Sequence, residues 1–321
     1  MRAGVVTHFD TSNPLAGLQL IDVPEPTCAP HWSLIQVRAA ALNHHDLWSL
    51  KGVGLRESQL PMTLGTDAAG ITEDGQRVVV HGVIGADGHG VGPTERRSLL
   101  SEKYSGTLSE KLAVPTANLI PIPDSMTFET AACLPTAWLT AYALVFNAAR
   151  ITPGQSVLIQ GAGGGVSTAA ATLALAAGAT VYVTSRSAEK RDRISALGAY
   201  AAAPGERLPE RVDAVIETVG RATWSHSLAS VKPEGIVAVA GATSGDPTTA
   251  ELTRIFFNQI RVQGVTMGTR KDLAALVNFV AHRNINIPID SVFPFEKLQQ
   301  AMERLHSGQH FGKIVVTVGH D

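Results

Sequence analysis

Two cysteines in 321 residues, Cys28 and Cys133, cannot build a disulfide framework or a four-thiolate zinc site. Each is expected to be a small buried apolar residue. Aromatic residues are also scarce, with nine Phe, four Trp and four Tyr, so the core must rest on Ala, Val, Leu and Ile. Neither sign of charge dominates. The formal charge is -2 with acids and bases interspersed, leaving no basic stripe for nucleic acid and no acidic tail. The most apolar segment, Ala169 to Val183, is interrupted by Thr172, Gly178 and Thr180 and is too short to span a bilayer. His8 and Asp10 precede any apolar run of signal-peptide length. These absences predict a cytoplasmic protein whose partner is a small-molecule substrate, with no nucleic acid and no membrane.

The chain is longer than one ordinary core, so two domains are expected. Its first third reads as short strands between Pro/Gly loops, among them "SLIQVRAAAL" (Ser33 to Leu42) and "QRVVVHG" (Gln76 to Gly82). The glycine-rich run from His81 to Pro93 reads as a surface excursion, with His81 and His89 solvated. After Asp124 the texture changes. "FETAACLPTAWLTAYALVFNAAR" (Phe128 to Arg150) is helical, with Pro135 forcing a break or kink. "SVLIQ", "TVYVTS", "VDAVIET" and "GIVAVAG" are uniformly apolar strands alternating with helices, the pattern of a parallel sheet covered on both faces. Near the end, Leu298, Ala301, Met302 and Leu305 form an amphipathic helical stripe, and "GKIVVTV" closes the chain as a strand.

"LIQGAGGGVSTAAATLALAAGATVYVTSRS" is a strand, a tight glycine turn, a helix and a second strand, the context a dinucleotide-binding turn requires. Gly161, Gly163, Gly164 and Gly165, with Val166 opening the helix, let backbone approach a pyrophosphate at the positive helix end. An NAD site needs an acid at the end of the second strand; this chain has Ser185 and Arg186, with Lys190 and Arg191 one turn on. A hydroxyl and a guanidinium grip a 2′-phosphate, so the predicted cofactor is NADP(H). The plain alternative for Lys190 and Arg191 is a solvated basic surface.

With these motifs in view, the chain resembles the medium-chain dehydrogenase/reductases, and within them the zinc-independent quinone oxidoreductase branch. The marks are "NHHD", "LGTDAAG", "GTLSEKLAVP", "LPTAWLTAY", "GAGGGVS" and the terminal "FGKIVVTV". The third glycine of that branch's turn is Ser167 here, a small residue at a position that packs helix on strand. The resemblance implies an α/β fold: a Rossmann doubly wound parallel sheet inserted into a GroES-like β-rich catalytic domain. Residues 1–123, completed by 265–321, would form the catalytic domain and 124–264 the NADP-binding domain. It also implies a homodimer joined along a Rossmann edge strand, with "RVQGV" (Arg261 to Val265) as the candidate.

In zinc-dependent relatives the three ligand positions fall on Asn43, Thr66 and Thr136, and Asn and Thr are poor zinc ligands. His44 and His45 are neighbours that point apart, so they cannot easily share an ion. A site from His45, Asp46 and Asp67 is conceivable on ligand type alone; the expectation is no metal. The resemblance places His44 and Lys313 as basic contacts to the cofactor pyrophosphate and Thr140 beside the nicotinamide. It places His45 at a substrate-contacting position and Asp46 at an orienting carboxylate, which could equally tie the local turn. For Lys313 the alternative is a solvated strand-end lysine.

Without a Lewis acid, alcohol oxidation loses its main alkoxide stabilisation. Reduction of a quinone, enone or related activated carbonyl by NADPH needs only hydrogen-bond donors at the oxygen and a proton source. Asn43 and Thr66 are the candidate donors and His45 a candidate proton donor. Trp48 and Trp138 are candidate walls for a flat substrate, or core residues. The rival readings are a zinc-free aldehyde/ketone or enoyl-thioester reductase, and a non-catalytic NADPH-binding protein.

Overall fold

Proline and glycine cut the first third of the chain into short strands, and a computed structural model describing residues 1–85 and 98–319 shows their assembly. In order come β1 (Arg2–Val6), β2 (Leu18–Asp22), β3 (Trp32–Ala41), α1 (His44–Leu50), β4 (Met62–Thr63), β5 (Asp67–Thr72), β6 (Arg77–Val80), β7 (Lys111–Pro115), β8 (Leu119–Pro121) and α2 (Phe128–Ala132). Next are α3 (Leu139–Tyr142), β9 (Ser156–Ile159), α4 (Gly165–Ala176), β10 (Thr180–Thr184), α5 (Ala188–Ala196), β11 (Tyr200–Ala202), β12 (Val212–Glu217), α6 (Trp224–Ser230), β13 (Val231–Val239), α7 (Leu252–Phe257) and β14 (Arg261–Gly264). The chain closes with α8 (Arg270–His282), β15 (Ile289–Pro294), α9 (Leu298–His306) and β16 (Lys313–Thr317).

Two compact units result, Met1–Thr136 with Thr269–Asp321, and Ala137–Gly268. The first seam lies after Thr136 rather than after residue 123, because α2 packs on β3, β5 and β6 of the first unit. The second lies at 268/269 rather than 264/265.

In the first unit β3 is the organiser. Its N-terminal half pairs antiparallel with β7, its C-terminal end with β16, and its other edge with β5. The sheet runs β15-β16-β3-β5-β6-β8, while β2-β1-β4 form a smaller one. Ile35, Val37, Leu50, Leu64, Leu108 and Met302 lie in its core. The amphipathic stripe is buried as expected: Leu298, Ala301, Met302 and Leu305 all face inward.

The second unit is a parallel sheet in the order β11-β10-β9-β12-β13-β14. Counted from its first strand this is 3-2-1-4-5-6, the doubly wound Rossmann order. Its strands are apolar on both faces because helices cover both. The helical run from Phe128 does break at Pro135. Two wide π-helical turns, Leu134–Trp138 and Ala143–Ala148, flank α3. Proline lacks the N–H an ordinary turn would use there.

Two expectations need correction. Cys28 is exposed, whereas Cys133 is buried and burial pushes its thiol up to about 12. His81 is fully buried, its Nδ1 3.0 Å from the Val83 carbonyl, so it belongs to the core rather than to solvent. His89 lies outside the described residues.

Candidate active site

Asn43 ends β3 and starts α1, and the register of that strand decides what it meets. β16 pairs Val315 with Ala41, which lays Lys313 beside the last turn of β3. β5 pairs Asp67 with Ala41 from the opposite edge. The Lys313 ammonium therefore bonds the Leu42 carbonyl at 2.7 Å, Asn43 Oδ1 at 2.6 Å and Asp67 Oδ2 at 3.1 Å. All three of its donors are engaged, and it is 2% exposed. Neither sequence expectation holds for this lysine: it is neither solvated at a strand end nor available to a pyrophosphate.

Asn43 is drawn inward by the same contacts. Its Nδ2 donates to Asp67 Oδ2 at 2.8 Å and to Thr66 Oγ1 at 3.2 Å, and Thr66 Oγ1 lies 2.9 Å from Thr136 Oγ1. Thus the three positions where zinc-dependent relatives carry ligands do converge, joined by hydrogen bonds. Asn43 and Thr66 are buried, and the Asn43 amide donates within the cluster. Gly65 makes the close approach possible. It has φ +95°, and a Cβ there would lie 2.4 Å from Thr107 Oγ1.

Asp46 ties the local turn. Its carboxylate accepts from the backbone N–H of Asn43 at 2.8 Å and of Gly65 at 3.2 Å. Burial raises its pKa, opposed mainly by the neighbouring His45. His45 Nε2 lies 2.9 Å from Glu102 Oε1, and its Nδ1 3.5 Å from Ser49 Oγ. Glu102 gave no sign of this pairing in the sequence, being one acid in an unpatterned loop. His44 is exposed and meets the Trp48 ring edge-on at 5.3 Å between centroids. Desolvation by its neighbours, then repulsion from Lys51 and His306, lowers its pKa. Trp48 is partly exposed; Trp138 is 1% exposed and is a core residue, not a wall.

In the second unit the glycine turn has the expected form. Gly161 (φ +82°) and Gly163 (φ +95°) adopt backbone that L side chains rarely take, and Gly164 precedes α4 with no side chain capping the helix. That leaves room and backbone N–H groups for a pyrophosphate, as a dinucleotide site demands. Val166 lies in the first turn of α4. The Lys190 side chain lies across Gly163, where a Cβ would meet its Cδ at 2.5 Å. It thus belongs with the glycine turn rather than with the end of β10. There Ser185 is buried, Arg186 is exposed, and Arg191 donates to the Ser185 carbonyl at 2.7 Å. Thr140 sits buried in α3.

A buried network holding this turn had no counterpart in the sequence analysis. Gly161 N–H donates to Thr184 Oγ1 at 3.2 Å, Thr184 to Gln160 Oε1 at 2.7 Å, Gln160 Nε2 to Ser227 Oγ at 3.0 Å, and Ser227 to Glu217 Oε2 at 2.6 Å. Glu217, fully buried, also accepts from Thr223 Oγ1 and from the N–H groups of Val219 and Gly220. The one sequence signal was an acid ending an apolar strand in "VIET".

Two family models match the chain. The alcohol dehydrogenase GroES-like domain matches residues 29–124 and the zinc-binding dehydrogenase model residues 178–316. A zinc-type alcohol dehydrogenase-like protein of Schizosaccharomyces pombe is 31% identical over 98% of this chain and 97% of its own. The synaptic vesicle membrane protein VAT-1 homolog of Mus musculus is 29% identical over 99% and 84%. Among solved structures, an NAD-dependent alcohol dehydrogenase superposes with a TM-score of 0.89 at 30% identity, covering 99% of this chain and 100% of that one.

The zinc in one model's description does not fit the residues here. Asn43, Thr66 and Thr136 offer no thiolate or imidazole, and the Lys313 ammonium already sits against Asn43 Oδ1. Among the described residues no three of His, Cys, Asp and Glu form a cluster that could hold a metal ion, and the His45–Asp46–Asp67 alternative is not assembled. The glycine turn, by contrast, suits the dinucleotide. With both halves matched by models and a relative alike along nearly its full length, the chain belongs to the medium-chain dehydrogenase/reductase superfamily, as an oxidoreductase of the alcohol dehydrogenase-like kind.

Proposed function

We propose that this protein uses NADPH to reduce a quinone, an enone or a related activated carbonyl without a catalytic metal. The observation that carries the reading is the hydrogen-bonded cluster of Asn43, Thr66 and Thr136, closed by Lys313 and Asp67 where zinc ligands would have to stand. Reduced nicotinamide, held through its dinucleotide at the glycine turn from Gly161 and beside Thr140, would supply a hydride to the acceptor carbon. The displaced electron pair then rests on the acceptor oxygen, delocalised over a ring or enolate, and the polar cluster stabilises it by hydrogen bonding. His45, its ring steadied by Glu102, is the proposed source of the proton that completes the product. An unactivated alcohol would need far more help to release hydride in the reverse direction.

Cofactor choice rests on Ser185 and Arg186 at the end of β10, where no acid stands to repel a 2′-phosphate. Likeness to an NAD-dependent structure does not bear on those two residues. His44 and Thr140 remain proposed contacts to the cofactor. The proposed partner is a second copy of the chain, meeting along β14, an edge strand bonded on one side to β13 and exposed along its length. The helix just before it exposes Phe256 and Phe257. Cytoplasm is the proposed compartment.

The test is NADPH consumption across quinones, enones, aldehydes and enoyl thioesters, with NADH alongside. Turnover of quinones or enones, with NADPH bound at least about tenfold more tightly than NADH, is expected. Equal affinity for the two dinucleotides defeats the cofactor assignment. Turnover of enoyl thioesters alone moves the protein to that class, and binding without turnover makes it a dinucleotide-binding protein.

A further inference from the structure

We propose that His226 is a positioning residue for the dinucleotide turn, holding the Gln160 amide through a neutral ring whose proton sits on Nε2. The tautomer follows from the ring's two partners. Nε2 lies 2.9 Å from the Glu206 carbonyl, which only accepts, so Nε2 carries the proton. Nδ1 lies 2.9 Å from Gln160 Nε2, an amide nitrogen that only donates, so Nδ1 is the unprotonated acceptor. The orientation of that amide is fixed from its other neighbour. Ser227 gives its proton to Glu217 Oε2 at 2.6 Å and therefore receives one from Gln160 Nε2 at 3.0 Å. Gln160 Oε1 is left to accept from Thr184 Oγ1 at 2.7 Å, and Thr184 Oγ1 accepts from the Gly161 N–H at 3.2 Å. His226 thus stands at one end of a path that finishes on the first residue of the glycine turn.

A second proton on the ring breaks this order. Nδ1–H would then face the Gln160 –NH2, donor against donor, and Gln160 is 0% exposed, so its amide cannot turn to solvent. Turning the amide over satisfies the ring but sets –NH2 against Thr184 Oγ1 and takes away the acceptor of the Thr184 proton. Either change reaches the hydroxyl that receives the Gly161 N–H. The charged groups on the elements packed around the ring are held elsewhere. Glu206 accepts from the Ala203 N–H, Asp213 pairs with Lys232 and Glu251 with Arg254, while Arg207, Glu210 and Arg211 are exposed. Glu217 reaches the ring only through Ser227 and Gln160.

This inference rests on the glycine turn being the dinucleotide site, and the experiment separates the two. In the cofactor-free wild-type protein at about pH 8, nitrogen NMR shifts of the His226 ring are expected to report the Nε2–H form. An Nδ1–H form overturns the assignment, and this measurement needs no variant. Binding of NADPH and NADH is then followed by calorimetry. Wild-type protein that binds neither at about pH 8 ends the cofactor reading and this inference with it. In His226→Asn the amide Oδ1 overlies Nδ1 and cannot take up a proton. From about pH 8 to about pH 5.5, where imidazoles titrate, wild-type affinity is expected to fall about tenfold further than that of His226→Asn. The sign follows because the neutral ring is the one that fits: affinity is present at high pH and lost as the ring gains its proton. His44 and the cofactor phosphates titrate in both proteins and drop out of the difference. His226→Leu, which offers Gln160 no acceptor, is expected to bind roughly fivefold more weakly than wild type at about pH 8. Parallel pH profiles for wild type and His226→Asn, or undiminished affinity in His226→Leu, would each overturn the proposal.

Discussion

Each unit of this protein buries an acidic side chain, and the two hold it differently. In the first unit Asp67 faces a cation, Lys313, with both groups almost fully buried. In the second, Glu217 is fully buried among hydroxyls and backbone N–H groups. The bonds around Glu217 tie the loop that follows β12, and the one from Ser227 leads on through Gln160 and Thr184 to Gly161. A charge held by an opposite charge leaves part of the cluster for other work. Among the described residues Asp67 Oδ1 is buried without a hydrogen-bond partner, and Thr136 is the partly exposed member of the cluster. The first arrangement suits a reacting site, the second a rigid cradle.

Removing one charge tests that contrast most severely. Lys313→Met strands Asp67 in the interior and is expected to cost roughly 3 to 5 kcal/mol in urea unfolding, with much of it recovered by adding Asp67→Asn. A small loss from the single substitution would mean that Asp67 does not need its cation. Glu217→Gln turns one acceptor into a donor facing other donors. It should cost about 2 kcal/mol and weaken dinucleotide binding measured by calorimetry, because the path from Glu217 ends at Gly161. If binding is untouched, the network supports the fold but not the cradle. Arg186→Ala is expected to lower NADPH affinity by roughly tenfold and leave NADH unchanged, which locates specificity outside both networks.

The smallest effect concerns pH. Burial pushes the Asp290 pKa up, but hydrogen bonds from Arg304, Phe311 N–H and Ser291 outweigh this and hold it below the usual range. A depressed folded value means stability that is present above the unfolded pKa and lost as pH falls through the folded one. Asp290→Asn should therefore remove about 1 kcal/mol at neutral pH, a modest figure because Arg304 is partly exposed, and flatten the loss below about pH 4. An unchanged acid limb would assign that loss to other carboxylates.

Much of this was legible beforehand, for reasons that differ by region. The cradle announced itself because its glycines, helix and strands follow one another within some thirty residues, and local spacing is what a sequence records best. The absence of zinc ligands was also legible, since it needs only residue types at Asn43, Thr66 and Thr136. Lys313 was not. A lysine opening a strand reads the same whether water or a carboxylate receives it, and here the register of β16 against β3 brings together residues 270 positions apart. Glu102 and Glu217 were missed for the same reason: their partners arrive through the fold, and neither carries a neighbouring pattern. Trp138 was open between wall and core, and the helix containing it closed it into the core.

The position of β16, between β15 and β3, sets a constraint on the order in which the protein can be made. On a ribosome the first 136 residues emerge lacking a central strand and the lysine that neutralises Asp67. At ordinary elongation rates, roughly ten to thirty-five seconds pass before Lys313 is synthesised. The inserted unit has its whole sheet in hand well before then. Translation therefore completes the glycine turn and its sheet before the Lys313–Asp67 pair can close, the order in which the proposed cofactor cradle would precede the proposed reaction centre.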